Sequence, residues 1–242
     1  MAQAKGKGYR AGGTREENAP MSETAGLTAS DGHRLGAYRV GPGGAAKALV
    51  VVQEIFGVNR HMRRVCDRFA AEGFAVVCPA LFDRVERGIE LGYEDSDVAR
   101  GRELRAATAN DKTMADIEAA AASLPKGAKL GIVGYCWGGT VAWWGATRSK
   151  RFQASSCWYG GGIAATATET PNCPVQMHFG EKDASIPMAD VAKIREAQKD
   201  AEIFVYPGAQ HGFGCDERAS YSANDAALAQ KRTLEFLARY LG

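Results

Sequence analysis

No two of the six cysteines stand three positions apart, so the chain lacks the C-x-x-C pairs that build zinc ribbons and thioredoxin-like redox sites. It also lacks a run approaching the roughly 20 apolar residues that a bilayer span requires. The longest, such as "KALVVVQEIFG", stop far short, and no membrane partner is expected. Charge of one sign is not concentrated either: 30 Lys and Arg are scattered among 28 Asp and Glu, for a net +2. Such a balance gives no basic field for nucleic acid. No secretory h-region opens the sequence, which with the cysteine pattern predicts reduced thiols and a cytoplasmic protein. No repeat of 20–50 residues, metal-ligand cluster or nucleotide-binding glycine loop is visible, so no cofactor or metal is expected. Finally, no serine has glycines two positions away on both sides, so the G-x-S-x-G nucleophile elbow is missing.

What is present is enough apolar material for a large core. At 242 residues, 45% apolar and 24% charged, the chain fits one α/β domain, assigned to 25–242. The polar, Gly-rich and basic opening, 1–24, with a second methionine at Met21, is set aside as a flexible extension or non-native residues. Seven short runs read as strands: "LGAYRV", "ALVVVQ", "FAVVC", "KLGIVG", "ASSCWY", "VQMHFG" and "EIFVY". Between them lie helical patterns. Met62, Val65, Cys66, Phe69 and Ala70 share one face; Val191 and Ile194 begin another; Leu234, Leu237 and Leu241 line a last one. Alternating strands and helices predict a mostly parallel sheet covered on both faces. The charged, Ala-rich segment 81–123 predicts a loop followed by one or two helices, an excursion of the kind that roofs a pocket.

The stretch "LGIVGYCWGGTVAWW" sets a cysteine between glycines just after a run of strand formers. Residues 129–133 predict a buried strand and 137–147 a helix, leaving Cys136 in the turn at the carboxyl end of the strand, where α/β sheets gather functional groups. A nucleophile elbow needs small neighbours because its tight turn strains the backbone and brings chains close. Gly134, Gly138 and Gly139 meet that need. A helix N-terminus at Trp137 favours a thiolate and a developing oxyanion. The competing reading is an inert buried thiol with glycines serving strand–helix packing.

Hydrolases of this architecture follow the chain order nucleophile, acid, histidine. "HFGEKD" places Asp183 in a turn after a strand, with Glu181 as the other candidate acid, and "PGAQHGFG" places His211 in a Gly-rich loop after the next strand. Histidine takes the thiol proton and the acid fixes its tautomer. The remaining histidines have plainer expectations: His33 and His61 solvated, the latter at a charged helix start, and His178 a hydrogen-bonded core residue. Cys66, Cys78 and Cys157 predict core packing, Cys173 a loop position, and Cys215 a packed thiol near the pocket rim.

These residues together resemble the dienelactone hydrolase family, a branch of the α/β hydrolases with a cysteine nucleophile. The resemblance spans most of the chain. It is carried by "VVQEIFGVNRHMRRVCDRFAAEGFAVVCPALFDR", "GYCWGG", "HFGEKD" and "HGF". It implies an α/β-hydrolase fold, a triad of Cys136, His211 and Asp183, and an extra carboxylate, Glu54, that contacts the nucleophile in the resting enzyme and helps deprotonate it. The amides of Ile55 and Trp137 would then form the oxyanion hole, one donor following an early strand and the other the nucleophile. Family substrates carry a carboxylate on an unsaturated lactone, held by arginines whose planar fork matches it. The family often has arginine four residues after the histidine; this chain has Cys215 there, with Arg218 nearby. In "DVARGRELR", Arg102 or Arg100 resembles the other carboxylate-binding arginine.

The expected activity is cysteine-dependent hydrolysis of a lactone or activated ester through a thioester acyl-enzyme, in a protein expected to be monomeric. Two rival classes remain: a non-catalytic ligand binder or thiol sensor on a hydrolase fold, and an acyltransferase using the same thioester.

Overall fold

A computed structural model of the protein describes residues 23–242. The segment set aside as an extension lies outside the described residues apart from its last two. Strands β1 (Glu23–Thr28), β2 (Arg34–Val40), β3 (Lys47–Val52), β4 (Ala75–Pro79), β5 (Lys129–Tyr135), β6 (Ala154–Trp158), β7 (Val175–Gly180) and β8 (Glu202–Tyr206) form one sheet in the order β1-β2-β4-β3-β5-β6-β7-β8. β1 and β2 are antiparallel to each other and β2 to β4, whereas β3 through β8 run parallel. The helices are α1 (Arg60–Ala71), α2 (Asp95–Ala107), α3 (Asn110–Ala122), α4 (Trp137–Arg148), α5 (Met188–Ala197) and α6 (Ala223–Leu241).

Val50, Val51 and Val52 in β3 are all fully buried. Successive strand residues point to opposite faces, so a continuous buried run requires cover on both sides. Burial of each such side chain stabilises the fold by roughly 1.5–3 kcal/mol. The seven expected strands all form, and the 81–123 excursion becomes a short 3₁₀ turn followed by α2 and α3. β1 is an addition. Its sequence, ETAGLT, has one large apolar residue, Leu27, and it forms an edge by pairing along β2.

β3 leads out to β4 on one side and β5 leads to β6 on the other, so the connections part between the adjacent strands β3 and β5. That is the switch point at which an open α/β sheet leaves a crevice outside its strand carboxyl ends. The loop after β3 carries Glu54 and Ile55, and the turn after β5 carries Cys136. The Asn59 side chain caps α1 by accepting from the Met62 amide at 3.2 Å. Its amide nitrogen donates to Leu91 O at 3.0 Å, tying the excursion to the crevice.

Candidate active site

Cys136 stands between β5 and α4 with φ 56° and ψ −118°, a left-handed backbone that costs a non-glycine residue of order 1–3 kcal/mol. The glycines around it answer to close approach. A Cβ on Gly134 would lie 1.8 Å from Gly138 O, and one on Gly138 would lie 2.3 Å from Val52 O. The spacing Gly-Tyr-Cys-Trp-Gly is therefore what lets β5, α4 and β3 converge while the half-buried thiol faces the crevice.

His211 reaches Cys136 from the loop after β8. Its Nε2 is 3.1 Å from Cys136 Sγ and its Nδ1 is 2.7 Å from Asp183 Oδ2. Asp183 is buried, and its other oxygen accepts from the Ser185 amide at 2.8 Å. Burial disfavours a charged ring, yet the Cys136 sulfur and the Asp183 carboxylate outweigh it and push His211 up to about 10. Glu181, the other candidate acid, is exposed and accepts from the Gly208 amide at 2.9 Å. Tyr159, itself at φ 38°, sets its ring against His211 with centroids 5.3 Å apart.

Glu54 is fully buried, which excludes a surface ion-pair role. Its Oε2 is 3.4 Å from the Tyr93 hydroxyl, and Arg218 Nη1 is 4.0 Å from Oε1, which has no hydrogen bond. In this arrangement the Cys136 sulfur engages His211 rather than Glu54. The Trp137 amide is the first of α4 and has no intrahelical acceptor, leaving it free for an oxyanion. Ile55 lines the crevice, and Gly101 of α2 presses on its carbonyl so closely that a Cβ there would lie 2.2 Å from Ile55 O. Glu54, His61 and Cys215 bring a carboxylate oxygen, a ring nitrogen and a sulfur within 4.8 Å of one another. Arg218 already places a fixed positive charge beside this group, which disfavours a metal cation there.

The crevice encloses about 370 Å³, and its lining includes Ile55, Val98, Arg102, Arg105, Trp137 and Arg218. The α2 excursion does roof it. Of the expected arginines, Arg102 is exposed at the lining and Arg218 is half-buried with its guanidinium over Phe56 at 5.7 Å. Arg100 instead pairs with Glu86 and Glu103. Arg105 was not singled out by sequence. It is half-buried, lies over the Trp137 ring at 4.9 Å and forms no ion pair with the described residues.

His61 is a correction. It is fully buried, not solvated, because the first turn of α1 faces the segment carrying Asp216, and Nδ1 is 3.0 Å from Asp216 Oδ1. His178 is a core residue bonded to Tyr206 at 2.8 Å and Gln176 at 2.9 Å. Cys66, Cys78 and Cys157 are sealed in the core, as is Cys215, whose thiol burial pushes up to about 12.

The model of the dienelactone hydrolase family matches residues 35–241. A carboxymethylenebutenolidase of Pseudomonas putida is 34% identical over 232 residues, covering 90% of this chain and 97% of its own length. A Synechocystis protein assigned the same name is 38% identical over 208 residues, covering 78% and 84%. A Klebsiella pneumoniae structure assigned as a dienelactone hydrolase has a TM-score of 0.82 at 31% identity, covering 92% of this chain and 100% of that one.

Proposed function

The chain belongs to the dienelactone hydrolase family, hydrolases of lactone or ester bonds, and from that premise we propose that Cys136, His211 and Asp183 carry out the hydrolysis through a thioester acyl-enzyme. The observation that carries this reading is the unbroken line from Asp183 Oδ2 through the His211 ring to a sulfur on a strained turn at the crevice, with separations of 2.7 and 3.1 Å.

The proton of the thiol passes to His211 Nε2, leaving thiolate beside imidazolium. The sulfur adds to the carbonyl carbon while the Trp137 and Ile55 amides stabilise the oxyanion. That addition forms the C–S bond; collapse of the oxyanion re-forms the C=O bond and breaks the ring C–O bond, and His211 gives its proton to the departing oxygen. Loss of the thiolate also removes a charge that held the imidazolium proton. The neutral ring, its tautomer fixed by Asp183, then takes a proton from water, which attacks the thioester and releases the acid. An enolate leaves with less help than an alkoxide, which favours unsaturated lactones over alkyl esters. Glu54 is the alternative acceptor of the thiol proton when the sulfur turns away from His211 towards it.

Arg105, Arg102 and Arg218 line one crevice, supporting a substrate that carries its own carboxylate. The six unpaired cysteines support a reducing, cytoplasmic setting. The acyltransferase reading differs only in the acceptor, and family membership favours water.

Cys136→Ala tests the mechanism on a dienelactone, its uncharged analogue and p-nitrophenyl acetate. Activity should fall by about 10³ or more. Lactone hydrolysis persisting within tenfold of wild type would discard the mechanism.

A further inference from the structure

Close to Glu54 lies a second Asp–His pair that the proposed triad does not use. His61 Nδ1 is 3.0 Å from Asp216 Oδ1, and the same oxygen accepts from Arg64 Nη2 at 2.8 Å. This carboxylate makes Nδ1 the donor of the ring. His61 Nε2 is then left buried with no hydrogen bond, and so is Glu54 Oε1. A His61 ring nitrogen and a Glu54 oxygen lie within 4.8 Å, and both side chains have no solvent exposure. Two bare acceptors sealed from water cannot satisfy each other, whereas one proton between them satisfies both.

We propose that His61, oriented by Asp216, is a positioning residue that shares one proton with Glu54 and so keeps a bare carboxylate from facing the Cys136 thiolate. This rests on the reading of Cys136 as nucleophile and Glu54 as its auxiliary carboxylate. The shared proton moves only between Nε2 and a Glu54 oxygen; no other bond changes.

The groups around this pair leave it free to act. From the 211–221 segment come Cys215, Asp216, Glu217 and Arg218, and from α1 comes Arg64. Tyr93 reaches Glu54 from the excursion, and Tyr159 stands at the end of β6. Burial raises both tyrosines and holds the Cys215 thiol up at about 12, so all three stay neutral around pH 7. The arginines stay charged. Beside the thiol, the Cys136 sulfur and the Asp183 carboxylate push the His211 ring up.

The test is a two-by-two set in the full chain: wild type, His61→Phe, Glu54→Gln and the double variant. Iodoacetamide alkylation of Cys136 is followed by intact mass from pH 5 to 9, with kcat and KM on p-nitrophenyl acetate. His61→Phe should slow alkylation at pH 7 about tenfold, one pKa unit of bias against the thiolate, and lower kcat with little change in KM. In the Glu54→Gln background the same change should alter alkylation less than about twofold, because no carboxylate remains to be neutralised. Equal slowing in both backgrounds, or none in either, overturns the proposal. Should His61→Phe fail to fold, nitrogen NMR of the chain's four histidines decides instead: Glu54→Gln must move the His61 ring resonances, and unchanged shifts overturn it. Inert His61 variants beside an inactive Cys136→Ala would remove this inference and leave the nucleophile reading standing; an active Cys136→Ala would remove both.

Discussion

His178 in β7 and His211 in the loop after β8 are both removed from bulk water, yet their rings are driven in opposite directions. Burial brings His178 down to about 3, helped by the nearby Arg232 charge. Its hydrogen-bond partners, Tyr206, Gln176 and Thr233, are neutral and ask nothing of its charge. Burial opposes the charged form of His211 as well, but its two ring nitrogens meet a sulfur and a carboxylate, and the balance moves up to about 10. Removing a histidine from water therefore does not make it inert; the charge its partners can carry decides whether it holds a proton. One ring knits β7 to β8 and α6, and the other is poised to exchange a proton with the thiol.

The most direct way to break that contrast is to give His211 a neutral partner. Asp183→Asn keeps the size of the side chain but removes the charge and the tautomer control, and kcat on p-nitrophenyl acetate should fall roughly 10³- to 10⁴-fold. A loss within tenfold would mean that Asp183 does not serve the ring in the way its 2.7 Å contact suggests.

Much of this was legible because strong local signals and tertiary structure agree. β3 and β5 are largely runs of buried apolar residues, and Cys136 is marked by glycines that the backbone geometry demands. β1 was silent because one Leu27 on an edge strand makes no period. His61 was misread because the arginines beside it suggest a wet helix start, while the residue that buries it, Asp216, lies 155 positions away. Arg105 was passed over because Arg100, Arg102 and Arg105 crowd one helix whose burial is weakly patterned, so sequence alone does not say which one turns inward.

The second contrast is in stability. His178 has a folded value of about 3, below the ordinary 6.5 of an unfolded histidine. Between those values the unfolded chain binds a proton that the folded chain refuses, so stability rises with pH and is lost as pH falls from 6.5 towards 3. From pH 6.5 to 4.5 this site alone should cost about 2.3 kcal/mol, roughly 50-fold in the folding constant. Urea unfolding of wild type against His178→Gln measures it: the variant should lose correspondingly less across that interval. Parallel pH curves would mean that His178 charges freely in the fold.

The smallest expected effect concerns a charge that lacks the partner His211 enjoys. Arg105 donates to Thr108 O at 3.0 Å and to Asn110 Oδ1 at 2.7 Å, both neutral acceptors, and burial lowers its affinity for its proton. A guanidinium on the crevice wall, 4.9 Å over the Trp137 ring, is arranged for an anion that arrives with the substrate. Because the side chain is only half-buried, solvent weakens that attraction to about 1.4 kcal/mol, a factor of about ten. In Arg105→Gln the ratio of KM for the charged dienelactone to KM for its uncharged analogue should therefore rise about tenfold. An unchanged ratio would take Arg105 out of substrate recognition and leave Arg102 and Arg218 as the arginines to test. A fall in kcat on both lactones would instead place the guanidinium at the reacting bond.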